Sequence, residues 1–371
     1  MSVVYITKPG VKVHLEKNHL LVKGENYLQN IYTFNLDRLV LVGKVEITHA
    51  ALVHLFRNGV SVVFLSRGGQ FLGSLSGPDN KNTVLRLTQY RCFEDKDFRL
   101  QMAKSIVQGK IINLRTLVMR MARTKKSAVA DQVADRLNKV LTLVEQAKDL
   151  ESLRGFEGQA SREYFRAYRE GFSKALKFSK RVRRPPTDPV NACLSFGYMV
   201  LYSLVLGAVQ SKGLDAGLGN LHAISYGRNS LALDLMEEFR PIVVDMTVLA
   251  LFNLKILARD NFIFEEIKEV EEKGEEFVKQ VDPLNSEIFL PKEHELEESI
   301  VEEPNKVTKV LLNREGKKKF IKHLEKRLSK SIFYPLKEKQ CFLRDIVHYQ
   351  VEHYISCLKG ESKDYIPFVI R

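Results

Sequence analysis

Short apolar runs separated by turn-forming residues make up the first eighty or so residues of the chain. Each run is rich in β-branched and aromatic residues, and Gly, Pro or Asn stands between most of them, as expected for strands joined by tight turns. The predicted strands are Val3–Thr7, Val11–Leu15, Leu20–Val22, Tyr27–Phe34, Leu39–Val42, Val60–Leu65 and Phe71–Leu75, with a helical patch at His49–Phe56. We therefore predict a small β-rich, sandwich-like domain over residues 1–80.

Helical spacing of the apolar residues replaces this pattern beyond the turn at Gly77–Asn80. From there we predict long helices to the C-terminus, with breaks at Gly155–Gly158, Arg184–Pro189 and Gly213–Asn220. The predicted fold class is α+β, in which the N-terminal domain is followed by a larger all-α domain over residues 81–371.

The uncharged stretch Pro189–Ser211 is long enough to span a bilayer. Polar residues and glycines interrupt it, including Asn191, Ser195 and Gly197. We therefore interpret it as a buried helix of a globular protein rather than a membrane span.

Charge is distributed unevenly along the 371 residues, which carry a net charge of +13. Residues Glu265–Glu303 hold 15 acidic residues against four lysines, a local charge of −11, so the rest of the chain carries +24. We interpret the acidic segment as an insertion. The basic remainder favours a polyanionic partner without saying which one.

Several kinds of chemistry are absent from the sequence. It contains neither a Walker A motif nor a GxSxG elbow, which argues against a nucleotide cofactor and a serine nucleophile. The four cysteines form no CxxC pair, and no signal-like segment stands at the N-terminus, so we expect a reducing, cytoplasmic environment.

Three segments carry polar residues where apolar packing is expected. Glu157 lies at the predicted start of a helix, His222 lies in a loop, and Asp234, Glu237 and Glu238 form one stripe of a helix. Each has an ordinary explanation: a helix N-terminal acid, an incidental loop histidine and a solvent-facing stripe. Together, two carboxylates and one imidazole suit a Mg²⁺ or Mn²⁺ site that acts on phosphodiesters.

A basic stretch follows Glu157 and is interleaved with aromatic residues, which we assign to the core. Its nine basic residues, against two acids, suit contacts with phosphates. They are Arg162, Arg166, Arg169, Lys174, Lys177, Lys180, Arg181, Arg183 and Arg184.

Four motifs in this order resemble the Cas1 family, the CRISPR-associated endonucleases and integrases of spacer acquisition. They are Glu157-Gly158-x-Ala160 followed by Tyr164-Phe165; Asp188-Pro189-Val190-Asn191-Ala192 leading into Leu194-Ser195-Phe196-Gly197-Tyr198; the loop histidine His222; and Leu231-Ala232-x-Asp234-Leu235-x-Glu237-x-Phe239-Arg240-Pro241. The resemblance covers about residues 1–260 and the basic closing helices.

The resemblance implies an N-terminal β-domain that dimerises and a helical catalytic domain with a Mg²⁺ or Mn²⁺ site. It implies that Glu157, His222 and Glu237 bind the metal and that Asp234 supports the site. Asn191 and Arg240 are expected near the substrate phosphates, together with the basic residues Arg162, Arg166, Lys174, Lys180, Arg181, Arg183 and Arg184.

The implied reaction is attack by the 3′-hydroxyl of a spacer precursor on a phosphodiester of a repeat array, with double-stranded DNA as substrate. The implied partners are a second copy of the chain and the small protein Cas2, with no membrane. Two alternatives stay open from the residues alone. One is a non-catalytic DNA-binding scaffold, and the other is a basic protein at a membrane surface.

Overall fold

The computed structural model describes residues 2–34, 36–67, 69, 71–77, 82–183, 185–268 and 306–370. Arg184 and residues 269–303 of the acidic segment therefore lie outside the described residues. In the N-terminal part, the strands are β1 Ser2–Ile6, β2 Val11–Glu16, β3 His19–Gly24, β4 Tyr27–Tyr32, β5 Leu36–Val42, β6 Val45–Ile47, β7 Ser61–Leu65 and β8 Phe71–Leu75, and helix α1 is His49–Arg57.

These strands form two four-stranded sheets that face each other. The first has the order β1-β5-β7-β8, with β8 antiparallel to parallel neighbours, and the second has the order β4-β3-β2-β6. A shared apolar core from both sheets and α1 includes Val13, Leu20, Leu39, Leu55 and Val62. The predicted β-sandwich is confirmed. Strand β6 was not predicted, because three residues are too few to produce a strand pattern.

The first sheet is buried on both faces. Side chains alternate along a strand, so Leu39 and Leu41 enter the sandwich core while Val40 and Val42 join the core of the helical part. Arg38 also points to the helical part, where its Nη1 donates to the Ser203 carbonyl at 2.5 Å. This two-sided burial explains why β5 reads as a continuous apolar run.

Helices dominate the rest of the described chain. They are α2 Thr83–Glu94, α3 Lys96–Lys125, α4 Ala128–Gln146, α5 Leu150–Tyr168, α6 Pro189–Ser211, α7 Ser230–Met236, α8 Met246–Asn253, α9 Arg314–Leu328 and α10 Leu343–Leu358. Two antiparallel strand pairs accompany them, β9 Phe262–Lys268 with β10 Lys306–Leu312 and β11 Ser331–Tyr334 with β12 Lys339–Phe342. The α+β fold class is confirmed, and the strand pairs are an addition that the sequence did not predict.

Helix α6 is the buried helix predicted from the uncharged stretch. Among the described residues it alone is long and apolar enough to cross a membrane, yet nearly all of its residues are covered by the protein. It contacts α7, α10 and β10. The prediction of a buried core helix is therefore confirmed.

The predicted break at Gly155–Gly158 is wrong, because α5 runs through it from its N-cap at Asp149. Glu157 thus lies in the middle of a helix, not at its start. Gly155 and Gly158 have no neighbour within 4 Å of an added Cβ, so they stand on the open side of the helix. Buried residues on the other side, such as Leu153 and Ala160, maintain the helix despite the glycines.

The acidic segment emerges from the β9–β10 pair. Lys268 and Lys306 are opposite each other at its open end, and residues 269–305 connect them. Glu265 and Glu266 belong to β9, so they are part of the strand and not of the insertion.

Candidate active site

Two carboxylates from different elements meet at one buried lysine. Glu157 projects from α5 and Glu237 follows directly after α7, while Lys110 lies on α3. The Lys110 ammonium contacts Glu157 Oε1 and lies 2.5 Å from Glu237 Oε2. The side chains of Lys110, Glu157 and Glu237 are 6%, 13% and 1% exposed, so this ion pair is shielded from water. The fold thus brings together the two predicted carboxylate ligands.

Helix α5 also holds the Glu157 carboxylate and the loop with His222. Ser161, one turn after Glu157, donates from Oγ to Glu157 Oε1 at 2.8 Å. Arg154, one turn before it, donates from Nε to the Leu221 carbonyl at 2.7 Å. One helix therefore orients the first carboxylate and ties down the residue that precedes His222.

Asp234 fixes the loop that carries His222. Its carboxylate accepts backbone N–H groups from Asn220, Leu221 and His222 at 2.5, 2.9 and 3.0 Å. It also lies 2.5 Å from His222 Nδ1. Because Nδ1 faces Asp234, Nε2 is the ring nitrogen through which His222 can act on a metal or a substrate. Asp234 therefore positions the 220–222 loop and the imidazole of His222.

Close packing at Gly219 makes this arrangement possible. A Cβ on Gly219 would lie 2.8 Å from the backbone of Ser230 and 2.9 Å from Asp234 Oδ2. Any larger residue would push the loop away from α7, so the glycine before Asn220 is required by the approach of two backbones.

The acidic stripe of Asp234, Glu237 and Glu238 does not face solvent, since all three residues are at most 1% exposed. Glu238 turns toward the C-terminal segment, where it accepts hydrogen bonds from Gln350, Tyr365 and the Phe368 backbone. Burial raises the pKa of Glu238 to about 8, although these hydrogen bonds lower it. Glu238 is thus an anchor of the chain terminus and lies apart from the pair at Lys110.

Arg240, three residues after Glu237, binds the carboxylate of Glu237. Its Nη1 donates to Glu237 Oε1, and its guanidinium lies 4.4 Å from the centre of the Tyr198 ring. Tyr198 in turn donates to Asp245 Oδ1 at 2.6 Å, and burial raises the pKa of Asp245. Arg240 begins a π-helical segment, Arg240–Asp245, of a kind often found at functional sites.

The donor chemistry of this site fits a divalent cation in part. Two carboxylates already converge on one positive charge, the Lys110 ammonium, and oxygen donors are what Mg²⁺ and Mn²⁺ prefer. Within the described residues, no group of three or more His, Cys, Asp or Glu side chains is arranged to hold one ion. The structure therefore joins Glu157 with Glu237, and His222 with Asp234, and the three-ligand set stays a prediction.

The predicted nucleic-acid residues separate into three groups. Arg162, Lys174 and Lys180 are exposed, as a contact with DNA requires, and Arg166 pairs with Glu163 at 3.0 Å. Arg181, Arg183 and Arg240 line a cavity between the β-sandwich and the helical part. The aromatic residues of the stretch, including Tyr164, Tyr168 and Phe178, are buried, which confirms their assignment to the core.

The expectation that Asn191 lies near substrate phosphates needs correction. Asn191 is fully buried, and its amide accepts from Arg181 Nη1 and the Val182 backbone at 2.9 Å and donates to the Lys180 carbonyl. It therefore shapes the 180–182 segment and reaches a ligand only through Arg181.

Sequence reasoning missed Lys110, which is central to the site. A signal for it was present: Lys110 lies between Ile106 and Leu114 on the apolar face of α3, a phase at which a lysine must be buried. A charge in that position requires a partner of opposite sign, which the structure provides in the two carboxylates.

Comparison with known proteins shows which protein family this chain is related to. The family model described as CRISPR associated protein Cas1 matches residues 4–272. The CRISPR-associated endonuclease Cas1 1 of Thermodesulfovibrio yellowstonii is 36% identical over 72% of this chain and 84% of its own length. The CRISPR-associated endonuclease Cas1 3 of Thermus thermophilus is 30% identical over 100% of this chain and 98% of its own.

Solved structures share the fold. A casposase bound to integration product matches with a TM-score of 0.80 at 21% identity, over 100% of this chain and 95% of that one. A Cas1 protein from Thermotoga maritima matches with a TM-score of 0.75 at 24% identity, over 100% of both chains. The family model and the two similar sequences cover most of the chain, including the segments of Glu157, His222 and Glu237. The chain therefore belongs to the Cas1 family of CRISPR-associated proteins.

Proposed function

We propose that this Cas1 protein is a Mg²⁺- or Mn²⁺-dependent DNA endonuclease and integrase that inserts spacer DNA into a repeat array. The observation that carries the proposal is the meeting of Glu157 and Glu237 at one buried cation, Lys110 Nζ. Two carboxylates turned toward a single positive charge supply oxygen ligands of the kind that Mg²⁺ and Mn²⁺ prefer, and such an ion can stabilise a phosphodiester under attack. Family membership and the casposase-like fold support the same reaction class.

In this proposal Glu157, Glu237 and His222 would hold the metal, with Lys110 vacating the space between the carboxylates. When bound, the metal would supply positive charge to the phosphodiester under attack. Asp234 keeps Nδ1 of His222 engaged so that Nε2 is presented. Ser161 and Arg240 hold Glu157 and Glu237, so the donors are in place before substrate arrives.

Strand transfer exchanges one phosphodiester for another, so the reaction requires no ATP. The 3′-hydroxyl oxygen of the incoming strand forms the new bond to phosphorus, and the 3′-oxygen of the cut strand leaves. Solvent takes the proton of the attacking hydroxyl and supplies one to the leaving oxygen. The chain would contribute positioning and electrostatics. The exposed cations Arg162, Lys174 and Lys180 would contact the DNA backbone without reading its sequence.

The proposed partners are double-stranded DNA, a second copy of the chain through the β-sandwich, and Cas2. A fold neighbour with a TM-score of 0.75 at 24% identity is a Cas6-RT-Cas1 protein in complex with Cas2, and this chain covers 36% of that protein. The casposase neighbour was solved with integration product. These observations support the partners by analogy of fold.

The test is Mn²⁺ binding and strand transfer with Glu157→Gln and Glu237→Gln. The matched control is Glu163→Gln, which removes a carboxylate on α5 that pairs with Arg136 and Arg166 on the surface. We expect each site variant to lose most Mn²⁺ affinity by calorimetry and to lower strand transfer about a hundredfold or more. The control should retain both.

The non-catalytic scaffold makes the opposite prediction. If both site variants kept Mn²⁺ affinity and strand transfer at the level of Glu163→Gln, the carboxylates would serve only to bury Lys110. DNA binding by all three proteins, measured over a range of salt concentrations, shows whether they are comparably folded and competent to bind.

A further inference from the structure

A cavity of about 720 Å³ lies where the β-sandwich meets the helical part. Residues from the end of β5 and the segment after β7 line one side, and α6, β10 and the start of α9 line the other. The volume is in the range of small-molecule sites, which is roughly 300–1,000 Å³. The proposed metal residues do not line it, although Arg240 borders both places.

The cavity wall is strongly positive. Among the described lining residues, seven are Arg or Lys and one, Glu265, is acidic. Glu265 is itself matched by Lys309 at 3.6 Å. The remaining cations are Arg67, Arg181, Arg183, Arg240, Arg314 and Lys317. A concave wall with this excess of positive charge concentrates its field on whatever anion enters.

The fold holds several of these cations in place. Arg181 donates to Ser195 Oγ and Asn191 Oδ1, both at 2.9 Å, and its guanidinium lies 5.5 Å from the Tyr198 ring centre. Lys317 is 9% exposed and donates to the Arg67 carbonyl. These contacts orient the positive groups in advance, which lowers the entropic cost of binding an anion.

Burial and neighbouring positive charges lower the pKa of two cations in the cavity wall. Burial, with Arg183 and Arg240 nearby, lowers the pKa of Arg181 to about 10. Burial, with Arg67 nearby, lowers the pKa of Lys317 to about 8. An anion in the cavity would relieve both effects, since it would stabilise the protonated forms.

The rest of the wall includes an apolar surface beside the charges. Val42, Met199, Pro185 and Leu311 contribute to it. An inorganic anion would gain no binding energy from such a surface, whereas the sugar and base of a nucleotide can pack against it. One guanidinium group can donate two parallel hydrogen bonds to the oxygens of one phosphate, so the arginine-rich half of the cavity suits a phosphate group.

We propose that this cavity binds a phosphorylated small molecule of nucleotide size. The inference does not depend on the proposed catalytic function, because none of the three predicted metal ligands lines the cavity. The same chemistry could be offered by a free nucleotide or by the end of a DNA strand, and the experiment separates these sources.

The test is calorimetric titration of the full chain with ADP, with pyrophosphate and with a ten-nucleotide single strand. EDTA is present so that no divalent ion links the probes to Glu157 and Glu237. The variants are Arg314→Glu at the start of α9 and Arg67→Glu on the β-sandwich side, and the control is Lys322→Glu, an exposed lysine of α9 that does not line the cavity.

We expect ADP to bind at one site per chain, more tightly than pyrophosphate. Each cavity variant should weaken ADP binding about tenfold or more, because a phosphate contact is lost and a like charge is added. Lys322→Glu should change the affinity by less than about twofold, as expected for a solvent-exposed charge.

Three results would overturn the proposal. One is the absence of saturable ADP binding to the wild-type chain. A second is an equal loss in Lys322→Glu and Arg314→Glu, which would indicate attraction by overall charge. The third is cavity-dependent binding of the single strand without binding of ADP, which would assign the cavity to the nucleic-acid surface.

Discussion

Lys110 Nζ lies 2.5 Å from Glu237 Oε2 and also contacts Glu157, so one ammonium from α3 joins carboxylates of two other elements. Lys110 and Glu237 are buried and Glu157 is largely covered, so removing the lysine would leave like charges facing each other in a medium of low dielectric constant. The lysine therefore maintains the geometry of the carboxylate pair in the metal-free protein. A divalent cation bound between the two carboxylates, as proposed above, would have to displace this ammonium.

Replacing Lys110 with Met should lower stability in the absence of metal and increase the response to it. Removing one partner from a buried ion pair costs about 3 kcal/mol. In this variant Glu157 loses the ammonium that it contacts, and Glu237 retains only its contact with Arg240. Mn²⁺ should then raise the thermal midpoint of Lys110→Met more than that of the wild type. The control is Lys104→Met, since Lys104 lies on α3 and donates to the Glu145 carbonyl near the surface. An equal Mn²⁺ response in all three proteins would contradict the competition.

Asp234→Asn should impair the site through His222. An amide in place of the carboxylate turns a donor toward backbone N–H groups of the 220–222 loop, at a cost of about 1–3 kcal/mol. The imidazole also loses the acceptor that holds its tautomer. Nitrogen chemical shifts of His222 should show a mixture of tautomers, together with at least about tenfold slower strand transfer. A slow variant with an unchanged His222 spectrum would show that Asp234 acts in another way.

Gly207 should not tolerate even alanine. An added Cβ would lie 1.6 Å from Arg38 Nη2, in the contact between the first sheet and α6. Either Arg38 gives up the Ser203 carbonyl or the two parts separate, so we expect a loss of about 2 kcal/mol or more in urea unfolding. Gly155→Ala is the matched control, because its Cβ meets open space on a helix. That variant should be neutral or about 0.5–1 kcal/mol more stable.

Residues 269–305 should be replaceable by Asn-Gly. Lys268 and Lys306 face each other in an antiparallel pair, which is the geometry that a two-residue hairpin turn closes. Shortening the connection from 37 residues to two lowers the entropic cost of loop closure, so stability should rise by up to about 2.5 kcal/mol. Circular dichroism and urea unfolding would measure this. A shortened chain that fails to fold would show that the segment contributes to the core.

The pH dependence of stability should carry a contribution from Lys317. The pKa of this lysine is lowered to about 8 in the folded protein, from an ordinary value of 10.5. Between these values the unfolded chain binds more protons, so this contribution makes stability rise as pH increases from 8 to 10.5. Lys317→Met should remove that rise relative to the wild type. Parallel pH profiles of the two proteins would show that folding does not lower the pKa of the Lys317 amine.

The β-sandwich was predictable because its strands are short, rich in β-branched residues and divided by turn residues. The burial of β5 and β7 on both faces was not part of that prediction and is a finding of the structure. Helix α5 shows the limit of the same reasoning: two glycines near Glu157 suggest a break by local propensity. Tertiary packing of Leu153 and Ala160 overrides that propensity, and no local pattern reports it.

The candidate site was predictable in composition but not in arrangement. Glu157, His222, Asp234 and Glu237 stand out as polar residues in apolar or glycine-rich surroundings. The meeting of Glu157 with Glu237 depends on Lys110, which α3 places between the two carboxylates. That contact joins residues 47 positions apart in the chain, and such long-range approaches leave no trace in periodicity.

Arg240 connects the proposed metal site at Glu237 with the proposed anion site in the basic cavity. Its guanidinium donates to Glu237 and also borders the basic cavity, so an anion bound there as proposed would weaken the contact between Arg240 and the Glu237 carboxylate. Thermodynamic linkage makes such an effect reciprocal: a cation bound at Glu237 must change the affinity for the anion by the same factor. A single side chain would then let the supply of phosphorylated metabolites adjust the metal affinity of the proposed strand-transfer site.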